Sequence, residues 1–310
     1  MSAAAPTAGH RTTTAGKPPG RAATRRARFA ERGVDRLLLL LVPAVAIIAL
    51  LFVYPFVYGL LISFSPLKGG AFANYRDFFA DPFLRQTIWY TVRLAIPVAL
   101  VSLLLAVPLA YRLRRDFRGK RAITLVFLLP VTLGSVVLSE GMTTIFAPNG
   151  WFNLVLGSVG LGPVSVLYGY WGTFVAAVLG ILPLMLLLLI GFFGGIDPAL
   201  EDAAATLGAS RAVRFWRVLF PLVLPGLITA LSLGLVEAFA VFPSAVLVGE
   251  PGGATHVLSI PIYQAAQQRF DYSAASADAT VMVLVEIVVL GALTLVRSRL
   301  YRGAAVGGKG

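Results

Sequence analysis

Residues 196–227 read IDPALEDAAATLGASRAVRFWRVLFPLVLPGL, and this stretch lies between two long apolar segments. Asp197 and Pro198 form a helix-start signal, because the carboxylate can accept hydrogen bonds from free N–H groups and proline suits the first helical position. Gly208 suits the left-handed conformation that ends many helices, and Ser210 can cap a second helix. We therefore expect two short helices that meet at a fixed bend.

The first of these helices is expected to carry small and apolar residues on one face: Leu200, Ala203, Ala204 and Leu207. Small residues let another protein approach closely, so this face is predicted to be a docking surface. The second helix carries Arg214 and Arg217 beside apolar side chains. An ordinary amphipathic connector that rests on the bilayer is the alternative interpretation.

The composition around this stretch indicates a membrane protein. Of the 310 residues, 58% are hydrophobic and 13% are charged, and the mean hydropathy is +0.84. Soluble domains carry about 25% charged residues. The composition excludes a disordered chain, a collagen and an ordinary soluble enzyme. Cysteine is absent, which excludes a disulfide framework and a thiolate metal site.

Six stretches are apolar over the roughly 20 residues that a helix needs to cross a bilayer. Lipid offers no hydrogen bonds to the backbone, so these spans should be helical and the fold all-α. The predicted spans cover residues 37–64, 89–111, 123–146, 170–193, 222–242 and 273–296. Residues 36–302 form one six-helix membrane domain in this prediction, between a disordered basic tail at 1–35 and a short tail at 303–310.

The net charge of +12 arises from 26 basic and 14 acidic residues. Of the basic residues, 21 lie before the first span, in residues 112–121, between the fourth and fifth spans, or after the sixth. Basic residues accumulate in cytoplasmic loops, so both termini and the 196–221 loop are predicted to be cytoplasmic. The charge is therefore a topology signal and does not indicate a nucleic-acid partner.

Sequence motifs for catalysis are missing. The chain has no G-x-x-x-x-G-K-[ST] phosphate loop, no H-E-x-x-H zinc motif and no G-x-S-x-G nucleophile motif. Its two histidines, His10 and His256, cannot supply a metalloprotease site. We predict no catalytic residue, no metal ligand and no cofactor in this chain, which leaves transport or a structural role.

The loop also resembles a known family. It contains Glu201-Asp202-Ala203-Ala204, Gly208, Phe215, Leu219 and Pro221. This pattern is similar to the EAA loop of the permease subunits of type I binding-protein-dependent ABC importers, which have six spans and both termini inside. The family pattern usually has glutamate six residues before the glycine, where this chain has Asp202. Weaker similarities occur at Asn74-Tyr75 and at Pro148-Asn149-Gly150.

The resemblance implies a type I importer permease fold in which the 196–221 loop forms cytoplasmic coupling helices. It also implies four partners. Two are a dimer of cytoplasmic ATPase subunits, which binds ATP and Mg²⁺, and a second permease subunit, which is either identical or distinct. The other two are an extracytoplasmic solute-binding protein and the bacterial inner membrane. ATPase activity would reside in the partner. The implied coupling residues are Leu200, Glu201, Asp202, Ala203, Ala204, Leu207, Gly208, Arg214 and Phe215.

Three glutamates, Glu140, Glu237 and Glu286, lie within predicted spans. Ionisable groups inside membranes usually face a cavity or the bundle interior, so these three are candidates for a cation path. Hydrogen bonding between helices, for example between Arg93 and Glu140, is the alternative. The acids favour a polyamine such as putrescine or spermidine; iron, thiamine, sulfate or molybdate, or a phosphonate are the alternatives within the same class.

Two other classes of membrane protein are alternatives to the importer permease. An ion-coupled secondary transporter could use Glu237 and Glu286 as proton sites, but such proteins typically show inverted repeats, which this sequence does not show. A non-transporting scaffold is the third hypothesis. It predicts that a bulky residue in place of Gly208 leaves solute uptake intact.

Overall fold

The structure is a computed structural model that describes residues 36–161 and 167–306. Over these residues all regular elements are helices, and six are long and apolar enough to cross a membrane: Leu41–Ile62, Pro82–Leu113, Lys120–Ser158, Tyr170–Gly194, Arg211–Phe239 and Tyr272–Leu295. The predicted all-α membrane fold with six spans is confirmed. The predicted tail at 1–35 lies outside the described residues, as do residues 307–310.

The chain divides into two compact units, residues 1–58 and residues 59–310. In the first unit, helix Arg36–Ile48 is followed by a π-helical turn at Ala49–Val53. The side chains described in this unit are exposed and mostly apolar, as Leu50 and Phe52 illustrate. Such a surface suits lipid tails better than water.

The core of the second unit lies between the second, fourth and fifth spans. On the second span, Ala99 and Ala106 are fully buried, and their small side chains let the neighbouring helices approach closely. Close approach is also visible on the fifth span, where a Cβ added at Gly226 would overlap the ring of Phe192 on the fourth span. Small residues therefore set the spacing of the three central helices.

The third span is broken in the middle. Its helix covers Lys120–Phe146, but Gly134 has φ 76° and ψ 164°, and these backbone angles are not helical. Glycine adopts such a conformation at little cost, whereas other residues do not. The span therefore consists of two segments that meet at Gly134, and a short helix, Trp151–Ser158, follows it.

Helix ends are set by caps as well as by hydropathy. The second span begins at Pro82, seven residues before the predicted boundary at 89, because Asp81 accepts a hydrogen bond from the backbone N–H of Phe83 at 2.8 Å. The sixth helix is also longer than predicted and covers Tyr272–Val306. Shorter helices on the connections cover Ala73–Ala80, Pro243–Leu247 and Ser259–Tyr263.

Candidate functional site

The connection between the fourth and fifth spans contains both predicted helices. The first, Pro198–Thr206, is called the loop helix below; the Asp197 carboxylate caps it by accepting from the N–H of Ala199 at 2.9 Å. Gly208 follows it with φ +82°, in the left-handed region that favours glycine. Ser210 then caps a helix that begins at Arg211 and continues through a π-helical turn into the fifth span. The bend is thus fixed by local sequence signals.

Within the part of the chain that the structure describes, one side of the loop helix is exposed. Leu200 is 47% exposed and Leu207 is 88% exposed, and Asp202 and Ala203 are exposed as well. Ala204 is half-buried. An exposed leucine pair beside small residues is the kind of apolar patch that marks a contact with another molecule.

Glu201 lies on the opposite side of the loop helix. Its side chain is buried, and its carboxylate is contacted by three guanidinium groups, those of Arg114, Arg115 and Arg214. The distances are 3.1 Å from Arg115 Nη2 to Glu201 Oε1 and 3.9 Å from Arg214 Nη1 to the same oxygen. The Tyr111 hydroxyl also donates to Glu201 Oε1, at 3.3 Å. Glu201 therefore points into the protein, unlike the exposed leucines.

The environment of Arg114 explains why this cluster holds together. Arg114 lies just after the second span, its side chain is only 7% exposed, and its guanidinium lies 4.8 Å from the centre of the Tyr111 ring. Burial lowers the pKa of Arg114 from its ordinary value. An arginine nevertheless stays charged at physiological pH, so a buried guanidinium needs a carboxylate partner such as Glu201.

Aromatic contacts join the same region to the fifth span. The Tyr111 ring lies edge-on to the ring of Phe215 at 5.2 Å and to that of Phe193 at 6.0 Å. Phe215 was predicted as a coupling residue, and in the structure it packs inward, half-buried, against the end of the second span. Sequence reasoning missed Arg114 and Arg115, because the basic residues at 112–121 were interpreted only as a topology signal. It also missed Tyr111, the last residue of the predicted second span.

A second candidate site is a cavity of about 340 Å³ among the third, fourth and fifth spans. Among its lining residues, all of which the structure describes, Glu237 has the one ionisable side chain. Ser135, Ser139 and Ser244 add hydroxyl groups, and the broken helix at Gly134 lines the same space. The cavity can therefore hold a polar or cationic group next to a carboxylate.

The other two in-span glutamates, Glu140 and Glu286, do not line this cavity. Glu140 is exposed and accepts a hydrogen bond from Thr143 at 3.4 Å, and Glu286 is half-buried on the sixth span. Among the described residues Arg93 makes no ion pair with Glu140; its guanidinium lies 5.2 Å from the centre of the Tyr170 ring. The structure thus places one of the three predicted path residues at a cavity and leaves the other two apart.

Six helices that are long and apolar enough to cross a membrane, with an exposed apolar helix between the fourth and fifth, define a multi-pass membrane protein. The sequence profile of the binding-protein-dependent transport system inner membrane components matches residues 102–304. The chain belongs to this family, and it is a multi-pass inner-membrane permease of the ABC importer type. The predicted family is therefore confirmed.

Three known proteins illustrate the similarity. A probable sulfate transport permease of Prototheca wickerhamii is 27% identical over 76% of this chain and 91% of its own length. A spermidine/putrescine transport permease of Haemophilus influenzae is 29% identical over 57% of this chain and 62% of its own length. In the crystal structure of a bacterial alginate ABC transporter in complex with its periplasmic protein, the similar chain has a TM-score of 0.74 at 21% identity, over 88% of this chain and 97% of that chain. The last likeness shows the fold alone.

Proposed function

We propose that this permease docks a cytoplasmic ATPase dimer through the exposed side of the loop helix and uses ATP hydrolysis to import a small solute. The observation that carries this proposal is the two-sided loop helix: Leu200 and Leu207 are exposed, while Glu201 is anchored inside the protein. ATP and Mg²⁺ would be bound by the ATPase. This chain would supply the docking surface and half of the solute path.

The proposed mechanism needs the loop helix to contact the ATPase differently in the two states of the transporter, since a ligand shifts an equilibrium only through differential contacts. ATP binding would close the ATPase dimer and displace the loop helix. The spans would then move between inward-facing and outward-facing arrangements. One chain has one such loop, so a second permease subunit would serve the second ATPase subunit.

Docking can be tested by introducing a charge on the exposed side of the loop helix. In Leu207→Glu a carboxylate would be buried without a partner in the interface, so we expect the ATPase to stop co-purifying with the tagged permease. Leu67 is 79% exposed and lies outside the loop helix, so Leu67→Glu is a matched control that should retain the ATPase. Normal co-purification of Leu207→Glu would refute docking through this face.

For the solute, we propose a polyamine. Glu237, which is exposed, lines the cavity and no basic side chain does, so we expect the cavity to attract cations and repel anions. Sulfate is the second candidate, because the sulfate permease of Prototheca wickerhamii resembles this chain over most of its length. The carboxylate argues against it.

Uptake into vesicles that contain the complete importer with its binding protein separates these solutes. We expect ATP-dependent uptake of labelled putrescine or spermidine, an approximately tenfold loss in Glu237→Gln, and substantial recovery in Glu237→Asp, which keeps the charge. Uptake of sulfate but not polyamine, with no effect of Glu237→Gln, would overturn the polyamine proposal. Uptake driven by a proton gradient without ATP would instead support an ion-coupled secondary transporter.

We further propose a bacterial inner-membrane location with both termini in the cytoplasm and the 243–272 connection outside, where it would meet the solute-binding protein. The distribution of basic residues supports this orientation. Because the chain contains no cysteine, single cysteines at Thr206 and at Gly252 can be tested for labelling by a reagent that does not cross the membrane. Only the cysteine at 252 should react in intact cells.

A further inference from the structure

One carboxylate joins three separate segments of this chain. Glu201 comes from the loop helix, Arg114 and Arg115 follow the second span, and Arg214 lies in the first turn of the fifth span. Glu201 is 3% exposed, and the Arg114 side chain is 7% exposed. Arg115 is 61% exposed, so the cluster is closed on one side and open to solvent on the other.

Burial makes this cluster different from an ordinary surface ion pair. Removing one partner of a buried ion pair is strongly destabilising, because the remaining charge is left without compensation. The same basic segment contains an exposed pair, Asp116 with Lys120, whose N···O distance is 2.9 Å. Exposed pairs contribute little to stability because solvent screens them, so the Asp116 pair offers a matched comparison.

The cluster is continuous with the packed core. Leu113 and Ala110, at the end of the second span, are buried against the central helices, and Tyr111 between them contacts both Glu201 and Phe215. A displacement of the loop helix would therefore act on the second span through Glu201 and Arg114. Without this link the covalent chain connects the loop helix only to the fourth and fifth spans.

We propose that Glu201 is a positioning residue that fixes the loop helix to the cytoplasmic end of the second span, so that the two move as one rigid body. This inference rests on the proposed coupling function and deepens it. Glu201 does not contact the ATPase; the exposed side of the loop helix does. Glu201 transmits the movement of that side to the second span, which packs along the fourth and fifth spans.

The first experiment requires no ATPase. Spin labels on cysteines at Leu104, which is exposed on the second span, and at Thr206, which is exposed on the loop helix, report the distance between the two elements in the purified chain. We expect a narrow distance distribution in the otherwise native chain and in the Asp116→Asn control. Glu201→Gln should broaden it, because three guanidinium groups lose their anionic partner.

The second experiment uses the complete importer and measures solute imported per ATP hydrolysed. Glu201→Gln should retain the bound ATPase but lose about tenfold or more in uptake per ATP, since the movement would then reach the second span only through its packing against the fourth and fifth spans. Glu201→Asp, which keeps the charge that all three guanidinium groups contact, should retain more of the native ratio than Glu201→Gln. A residue that only stabilised the fold would lower the yield of the importer and leave this ratio unchanged.

The outcomes separate the inference from the proposed function. If Glu201→Gln leaves both the distance distribution and the uptake per ATP unchanged, the positioning role is refuted. If Glu201→Gln cannot be isolated, Arg115→Gln decides, because it removes the exposed partner of Glu201 and leaves Arg114 paired. A broader distance distribution with lower uptake per ATP supports the inference, and native behaviour in both measurements overturns it. If the native chain binds no ATPase but Glu201→Gln still broadens the distances, the coupling function fails while the structural link stands.

Discussion

Replacing Gly208 tests whether the bend after the loop helix depends on backbone conformation alone. Gly208 has φ +82°, and a Cβ built at this position would meet no atom within 4 Å. Any penalty from a small side chain must therefore come from the left-handed backbone and not from a steric clash. We expect the bend to weaken in the order Gly, Asn, Ala, Val.

The magnitude follows from the conformation. The left-handed region costs an ordinary L-residue about 1–2 kcal/mol, whereas asparagine tolerates it better and a β-branched residue less well. A cost of 1–2 kcal/mol shifts a two-state equilibrium by about 5- to 30-fold. Gly208→Ala should therefore shift the population from the bent to the unbent connection by that factor, Gly208→Asn by less and Gly208→Val by more.

The assay is ATP-dependent solute uptake by the reconstituted importer, normalised to the amount of assembled complex. Gly191 supplies the control, because it lies on the fourth span, has no positive φ, and a Cβ there would also meet nothing within 4 Å. Gly191→Ala should retain full uptake. Equal uptake by Gly208→Asn, Gly208→Ala and Gly208→Val would refute the reasoning, as would a loss that depends on side-chain volume but not on backbone preference.

Two further predictions concern the 243–272 connection. Gly249→Ala should lower the free energy of unfolding by about 1–3 kcal/mol, because the added methyl would overlap the Thr173 hydroxyl. Gly252→Ala is the control, since its methyl would meet no atom within 4 Å. Thermal unfolding in detergent compares the two variants. His256 is buried, desolvation lowers its pKa, and its Nε2 has no hydrogen-bond partner among the described residues. The opened connection therefore binds more protons than the closed one, so the closed form should lose stability as the pH falls below about 6.5. Hydrogen exchange measures this as the protection factor of residues 250–258, and a protection factor that does not change with pH would contradict the prediction.

Local sequence signals predicted the helix pair well. Asp197, Pro198, Gly208 and Ser210 each act on backbone groups within a few residues, so their effect is visible without the rest of the fold. The start of the second span at Pro82 was missed for a related reason. The prediction followed hydropathy, whereas Asp81 caps the helix seven residues earlier than predicted.

The direction of Glu201 could not be predicted from its neighbours in the sequence. The sequence groups it with Asp202 and Ala203 as a coupling residue, and the structure turns it toward Arg114, which lies 87 positions away in the chain. A one-residue step along a helix rotates the side chain by about 100°, so adjacent residues face different partners. Which of them is buried depends on the position of the second span.

For the three in-span glutamates too, the sequence predicts the position in a span but not the surroundings of the side chain. Hydropathy alone locates Glu140, Glu237 and Glu286 inside spans, but the break at Gly134 and the packing of the third, fourth and fifth spans bring only Glu237 to the cavity. The rotation of each helix about its axis decides whether a carboxylate faces a cavity. That rotation is set by contacts between helices.

The sequence by itself determined the six spans, the helix pair with its bend and the permease family, because hydropathy, capping and short motifs are properties of local segments. The tertiary structure alone decided that Glu201 is buried among arginines from two other segments and that one of the three in-span glutamates lines a cavity. These features depend on distant residues that meet only when the second, fourth and fifth spans pack together, and packing of that kind leaves no local signal.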